Sequence, residues 1–537
     1  MPLEGRAEEG ADVRLKLALG VGAAVLCFSA SPALLWAKPA TPKVTVSNAA
    51  TLCASFLNRT IPASAFALPT GDAIVTKAAL VQYQKSNGTY CRLKGAIRAK
   101  GAEGPDILFQ VNLPNAWNRK TVLYGGGGSN GFIIKGTGEY SGGGGNVPTP
   151  LSLGYVTYGS DSGHQGSGTE FYANPTAFAN YSHAAIKRTK DLVTVLVKEY
   201  YGTPARRNYH IGGSKGGQEA LQAAQRYYAD FDGVVSNYPA AQSQSMTIAW
   251  NRMAHFAYGI PGGALTTENQ ALLKQSVLKS CDALDGAADG IVSNVKACVA
   301  TFKLNELRCA SDKPAPECLT SPQIAALEVA ARPFVFAHPM PNGVKSVGPY
   351  PALLGSDNSV WFGNGTAASV AGFFAPAPVF PWALDGATVD EETWQKSVLA
   401  TAQVYDVSSP DFDGFQKRGG KLLLVQGTLD MLVPYTMTNE FFDKLQGRYG
   451  KRVGSFARYY VVPGYGHGSG DFSAEWDSLT ALDNWVETGK APQHPVVRDA
   501  VGAKAGRTRP LCEYPAFPKY KGSGSLDDAA SFSCEKN

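Results

Sequence analysis

"YHIGGSKGGQEAL", Tyr209 to Leu221, is the stretch on which the fold turns. Its pentapeptide Gly212-Gly213-Ser214-Lys215-Gly216 has the form G-x-S-x-G, the signature of a serine held on a tight turn between a strand and a helix. Gly127-Gly128-Ser129-Asn130-Gly131 has the same form, so the pattern alone decides nothing. The residues on either side of each serine separate the two. "NYHI" before Ser214 reads as a short strand, and "QEALQAAQ" after it is a run of good helix formers. Ser129 is succeeded by "GFIIKGTGEYSGGGG", which cannot hold a helix. Ser214 is therefore the candidate nucleophile. The loop around Ser129 suits another task, because its backbone N–H groups can face a developing oxyanion, with the N–H of Lys215 as the second donor. A phosphate loop is the weaker reading, since "GGGGSNG" lacks the G-K-[ST] ending and opens no helix.

Outward from the elbow, strands and helices alternate. "ILFQVNL", "KTVLYGGGG", "GYVTYGSDSG", "NYHIGGS" and "DGVVSNYPA" read as strands, while Tyr181 to Tyr201 and "QEALQAAQRYYADF" have helical spacing. This order predicts an α/β fold with a mostly parallel sheet covered on both faces. The pattern lapses after residue 240 and returns at "KLLLVQGTLD" and "RYYVVPGYGH". The interval carries four cysteines and the aromatics Trp361, Phe362, Phe373, Phe374, Phe380 and Trp382. The expected organisation is a catalytic core over 38–240 and 400–537 with an inserted lid over 241–399. Residues 500–537 read as a polar tail tied back only by Cys512 and Cys534.

A serine hydroxyl needs a histidine base, and the imidazole needs an acid to hold its tautomer. The chain has only seven histidines. His183 falls at a helix start, His210 in the strand before the elbow, His255 in a helix, and His338 and His494 beside prolines in loops. His164, in "SDSGHQG", ends a strand and is left as a pocket or supporting residue. His467 ends the last strand in "VVPGYGHGSG", where a glycine-rich loop can swing an imidazole over the sheet edge. Asp430, ending "LLLVQGTLD", precedes it in the order Ser…Asp…His that this architecture uses. A helix-capping role is the alternative for Asp430.

The chain of 537 residues is 44% hydrophobic and 17% charged, a globular composition, and its formal charge of +5 is spread without a basic block. Nucleic acid is thus not an expected partner. Arg14 and Lys16 precede the apolar run "LALGVGAAVLCFSASPALLWAKPA", which reads as a signal peptide over 1–37, an uncleaved anchor being the alternative. The acidic residues before Arg14 are unusual there and suggest a start further downstream. Export to the periplasm or beyond, without stable membrane insertion after cleavage, is the expectation. Apart from Cys27 in that run, eight cysteines remain, and an even number in an exported chain implies disulfides. Local pairing predicts Cys53–Cys91, Cys281–Cys298, Cys309–Cys318 and Cys512–Cys534.

Asp282, Asp285 and Asp289 lie within eight residues, with Gly286 and Gly290 allowing tight turns. Their mutual repulsion invites a cation, and oxygen-only ligands favour calcium over zinc. The spacing is not that of an EF-hand. A solvated turn is the competing reading on these residues alone.

Together "GGGGSNG", "GYVTYGSDSGH", "GGSKGGQEAL", "FDGVVSNYPA", "CDALDGAADGIVSNVKAC", "QGTLDMLVP" and "VPGYGHG" resemble the tannase and feruloyl esterase family, in order, from about residue 50 to the C-terminus. The resemblance implies an α/β-hydrolase core with a large inserted lid domain, Ser214, Asp430 and His467 as triad, and Gly131 and Lys215 as oxyanion-hole donors. It also implies a structural Ca2+ held by Asp282, Asp285 and Asp289 with the backbone oxygens of Ala287 and Ile291. One feature departs from the family pattern. Gly213 and Gly468 stand where most members carry a cysteine pair bridging the triad. The implied activity is hydrolysis of small-molecule aromatic acid esters, feruloyl, hydroxycinnamoyl or galloyl, through an acyl-enzyme. Phthalate or terephthalate monoesters are the alternative substrates. No arginine lies between Arg332 and Arg418 to clamp a free carboxylate, although Lys345 can do part of that work. A peptidase, or a non-catalytic calcium-stabilised binding protein of the same fold, are the rival classes.

Overall fold

The computed structural model describes residues 43–536, except 84–87, 102, 169, 337–339, 341–342 and 364–399. The expected signal segment and the aromatics Phe373, Phe374, Phe380 and Trp382 lie outside the described residues.

Ten strands form the main sheet. In chain order they are β1 (Thr60–Ile61), β2 (Ala73–Gln82), β3 (Thr89–Ile97), β4 (Ile107–Pro114), β5 (Lys120–Tyr124), β6 (Val156–Ser160), β7 (Arg207–Gly213), β8 (Gly233–Asn237), β9 (Lys421–Gly427) and β10 (Ala457–Val462). Their spatial order is β10-β9-β8-β7-β5-β6-β4-β3-β2-β1. From β10 to β6 all neighbours pair in parallel, and from β6 outward all pair antiparallel. The parallel half is the one the strand–helix alternation predicts. The antiparallel arm β1–β4 is an addition, and the Cys53–Cys91 disulfide fastens β3 to the short helix Ala49–Ala54 beside it.

Both faces of the parallel half are covered, so its strands bury apolar side chains on both faces rather than on one. Leu123, Val234, Leu422 and Leu424 point into one cluster. Val122, Val235, Leu423 and Val425 point into the opposite one. The longer helices are α1 (Ala185–Tyr201), α2 (Lys215–Arg226), α3 (Ser243–Ala254), α4 (Thr267–Cys281), α5 (Ser321–Ala330), α6 (Tyr435–Tyr449) and α7 (Ser478–Thr488). The apolar stripe of α1, Leu192, Val193, Leu196, Val197 and Tyr200, packs into the first cluster, and Leu479, Leu482 and Trp485 of α7 into the second. Helix α1 stops at Gly202, whose φ of 69° makes the left-handed cap that a side chain would disfavour.

Between β8 and β9, helices α3, α4 and α5 build a third apolar cluster around Trp250, Leu273, Val277, Leu327 and Trp361. The indoles of Trp250 and Trp361 stack at 5.7 Å. Cys281–Cys298 and Cys309–Cys318 close turns in this region, and Cys512–Cys534 closes the C-terminal hairpin, so the four pairings read from local spacing are those present.

The C-terminal segment is more than a tail held by one disulfide. Val496–Asp499 and Thr508–Pro510 pair in a small sheet, and Phe517–Tyr520 pairs with Phe532–Glu535. Arg507 donates to the Asp499 carboxylate at 2.8 Å, and Arg509 pairs with Asp289. The buried arginines made this stretch look polar in sequence, yet their charges are matched inside the protein.

Candidate active site

The chain folds into an elbow at Ser214 because nothing larger than glycine fits around it. Ser214 lies between β7 and α2 at φ 57° and ψ −121°, a conformation that costs an L-residue energy and clusters at functional sites. A Cβ on Gly212 would stand 2.5 Å from the Gly216 carbonyl, and one on Gly216 would stand 2.7 Å from that of Gly126. The turn is tied to the end of β8 and to the segment just after it. The Ser214 N–H donates to Asn237 O at 3.0 Å, and the Ala240 N–H donates to Ser214 O at 3.0 Å.

Asp430 lies just past β9 and is fully buried. Its Oδ1 accepts from the N–H groups of Leu432 and Val433, each at 2.9 Å, and its Oδ2 accepts from Gln426 Nε2 at 3.2 Å. Oδ2 also meets His467 Nδ1 at 2.8 Å. The carboxylate is therefore fixed in position, and it turns the other imidazole nitrogen, Nε2, away from itself. The loop carrying Asp430 is pinned from the inserted region, where Trp250 Nε1 and Trp361 Nε1 donate to the carbonyls of Leu432 and Met431. Asp430 caps no helix, since α6 starts at Tyr435 with Pro434 as its N-cap, and its bonds to Leu432 and Val433 close a turn instead. The His467 side chain remains 21% exposed. Gly213, the neighbour of Ser214, and His467 abut the same Tyr238 ring, so elbow and histidine loop meet there.

The glycine-rich loop runs past the start of α2. Gly216 N–H donates to Gly126 O at 3.0 Å, and Gly126 N–H donates to Glu219 Oε2 at 2.9 Å. Glu219 Oε1 pairs with Lys215 Nζ at 2.8 Å. Burial works to raise the Glu219 carboxyl, and the adjacent Lys215 ammonium with His210 and the Gly126 N–H outweighs it, keeping the carboxylate ionised. The Lys215 side chain is thus structural, its ammonium lying 4.6 Å over the Tyr181 ring, while its N–H is among the first of α2, which have no partner within the helix. His164 Nε2 meets Ser129 O at 2.7 Å, and its ring stacks on Phe171 at 3.8 Å, which makes it a support of the loop.

Gly131 is expected to supply an oxyanion donor, and in the structure its amide is engaged elsewhere. Its N–H donates to Asp161 O at 3.2 Å, and a Cβ there would lie 1.8 Å from Gly166 O. Its positive φ of 83° goes with the close approach to the segment after β6. Within 125–131, the amides of Gly125, Gly126, Gly127 and Asn130 also have acceptors. That of Gly128 has none among the described residues. Sequence reading missed this network, although its one signal was visible: Lys215 and Glu219 stand i, i+4 in a helix with no other charge before Arg226.

The acidic loop folds around its own backbone. Asp282 Oδ1 accepts from the N–H groups of Asp289, Gly290 and Ile291 at 3.0–3.2 Å, and Asp285 Oδ1 from Ala287 N–H at 2.9 Å. Asp289 pairs with Arg509. Asp285 Oδ2 is buried without a hydrogen-bond partner, and burial pushes that carboxyl up to about 6. Among the described residues no three acidic, histidine or cysteine side chains converge as a metal cluster.

The family model described as tannase and feruloyl esterase matches residues 91–535. The chain belongs to that family. It is 37% identical to an uncharacterized esterase of Agrobacterium fabrum over 91% of this chain and 93% of that one. It is 30% identical to mono(2-hydroxyethyl) terephthalate hydrolase of Piscinibacter sakaiensis, over 83% of this chain and 84% of the relative. The structure of feruloyl esterase B from Aspergillus oryzae superposes with a TM-score of 0.74 at 21% identity, covering 90% of this chain and all of that one, which bears on the fold alone. This tannase and feruloyl esterase family member is a carboxylic ester hydrolase with an α/β-hydrolase fold, and its substrate is a small-molecule ester. No helix among the described residues is long and apolar enough to cross a membrane.

Proposed function

We propose that the protein is a serine esterase that cleaves aromatic acid esters through an acyl-enzyme. The observation that carries the reading is the Asp430 carboxylate at 2.8 Å from His467 Nδ1, at the sheet edge where Ser214 occupies a strained elbow. His467 Nε2 takes the Ser214 proton as Oγ bonds to the ester carbonyl carbon, and Asp430 stabilises the resulting imidazolium. The oxyanion rests on the Lys215 N–H and on the glycine-rich loop, whose open donor is the Gly128 amide. His467 returns the proton to the departing alcohol, and water repeats the sequence on the acyl-enzyme. Residues 241–399 act as a lid over the acyl group, a role suited to their aromatic content. Relatives named feruloyl esterases support an aromatic acid. The terephthalate monoester hydrolase at 30% identity favours the second reading, an aromatic monoester bearing a free carboxylate.

A panel of ferulate, gallate, chlorogenate, phthalate and terephthalate esters tests both. Hydrolysis by the wild type and none by Ser214→Ala is expected; activity surviving in Ser214→Ala refutes the nucleophile. Labelling by a fluorophosphonate separates an esterase from a binding protein, which stays unlabelled.

The acidic loop is proposed to hold a structural calcium ion, for which the orphaned Asp285 Oδ2 is the fitting observation. A chelator is expected to lower the unfolding midpoint, with calcium but not magnesium restoring it. Export is proposed on the four disulfides, which persist in oxidising compartments.

A further inference from the structure

The glycines beside the candidate nucleophile and base, Gly213 and Gly468, both border the Tyr238 side chain, with Ser141 Oγ also against Gly213 and a φ of 90° at Gly468. A Cβ on Gly213 would stand 2.7 Å from Cε2 and Cζ of Tyr238, and one on Gly468 would stand 3.4 Å from its Oη. The Tyr238 ring thus fills the gap between the elbow and the histidine loop. Its centroid lies 4.8 Å from that of the His467 imidazole, inclined at 57°, and 5.9 Å from that of Tyr465. The ring is only 8% exposed.

Its placement is not adjustable. Tyr238 comes directly after β8 with a φ of 32°, and its N–H donates to Val425 O at 2.7 Å. The residues around it, Asn237 and Ala240, are those bonded to the backbone of Ser214. A shift of the elbow is therefore transmitted to this ring, and from the ring to the imidazole.

His467 needs such a support. Among the described residues its ring has one side-chain hydrogen bond, from Nδ1 to Asp430, which leaves the tilt of the imidazole about that bond unset. The loop itself, with glycines at 464, 466, 468 and 470, adds little stiffness. No covalent bridge is available between positions 213 and 468.

We propose that Tyr238 is a positioning residue whose ring, wedged between Gly213 and Gly468, sets the tilt of the His467 imidazole relative to Ser214. The proposal rests on the Ser214–Asp430–His467 reading. The contact with the His467 imidazole is between rings, whereas the hydroxyl reaches only as far as Gly468, so the aromatic ring is the part that sets the tilt.

The test compares Tyr238→Phe, Tyr238→Leu and Tyr238→Ala, each with a cooperative unfolding transition, on 4-nitrophenyl acetate. Tyr238→Phe is expected to keep kcat within a small factor. Tyr238→Leu and Tyr238→Ala are expected to lose kcat by about a hundredfold, with KM nearly unchanged. Labelling by a fluorophosphonate slows in parallel. If Tyr238→Ala does not fold, the volume-retaining Tyr238→Leu decides. A readout independent of turnover is the far-downfield proton of His467 Nδ1, assigned by its loss in His467→Ala. It is expected to broaden in the Ala and Leu variants and to persist in Phe. Wild-type kcat with a sharp resonance in Tyr238→Leu overturns the proposal, as does an equal loss in Phe and Ala. A wild type without Ser214-dependent turnover refutes the esterase reading, while the resonance still reports on the ring.

Discussion

Ser214 carries its positive φ because three sets of bonds hold it there: the end of β8 with the segment just after it, α2 after Ser214 itself, and the glycine-rich loop packed on Gly216. The same economy governs Asp430, whose Oδ1 is saturated by two backbone N–H groups so that only Oδ2 is left to face the imidazole. An Asp430→Asn variant keeps an oxygen for those N–H groups but loses the charge that stabilises the imidazolium. Its kcat is expected to fall by about three to four orders of magnitude, with little change in KM. Steady-state kinetics beside a thermal melt checks this, and a loss of folding instead of turnover refutes it. The elbow at Ser214 and the strand-end positions of Asp430 and His467 were legible in sequence because their surroundings are local: a helix-forming run, a glycine-rich strand end, a strand terminus. Tyr238 was not legible. Its role depends on Gly213 and Gly468, 255 residues apart, approaching the same ring.

At the scale of elements, helix α2 does more than carry the chain away from the elbow at Ser214. Its Lys215–Glu219 pair holds the Gly126 amide, so the loop proposed to bind the oxyanion is fastened to the helix that follows Ser214. Glu219→Gln leaves the Lys215 ammonium buried without its counter-charge. It is expected to destabilise the fold by about 3–5 kcal/mol, read as a lower urea midpoint at neutral pH; an unchanged midpoint refutes a structural role for the pair. The strands of the parallel half were legible because both faces are apolar and the runs are short. The C-terminal hairpins were not, because Arg507 and Arg509 gave a polar composition to a segment whose charges are neutralised by Asp499 and Asp289 from elsewhere in the chain.

Across the molecule, pH acts through histidines that the catalytic scheme does not use. His210, in β7 directly below the elbow, is completely buried with both ring nitrogens unpartnered, and burial pushes it down to about 4 from 6.5. Burial also pushes His183 down, to about 3. The folded state resists protons that the unfolded chain accepts, so this stability is intact above pH 6.5 and is lost as pH falls toward 4. At roughly 1.4 kcal/mol per unit, His210 alone accounts for about 3 kcal/mol over that window. Urea unfolding from pH 7.5 to 4.5 is expected to show a steeper fall for the wild type than for His210→Leu; parallel curves refute it.

Fold class, the four disulfide pairs, the elbow at Ser214 and the strand-end positions of Asp430 and His467 could all be read from the order of residues. Those readings rest on local periodicity, strand ends and short-range cysteine spacing, all of which are written within a few residues. Three things emerged only from the folded chain: which amides of the glycine-rich loop are already spent, that the polar tail is a paired and charge-matched arm, and that one tyrosine ring fills the space between Gly213 and Gly468. Each of these depends on a hydrogen bond, ion pair or van der Waals contact between distant segments. Such contacts are set by how the sheet twists and stacks its loops, not by the identity of neighbouring residues.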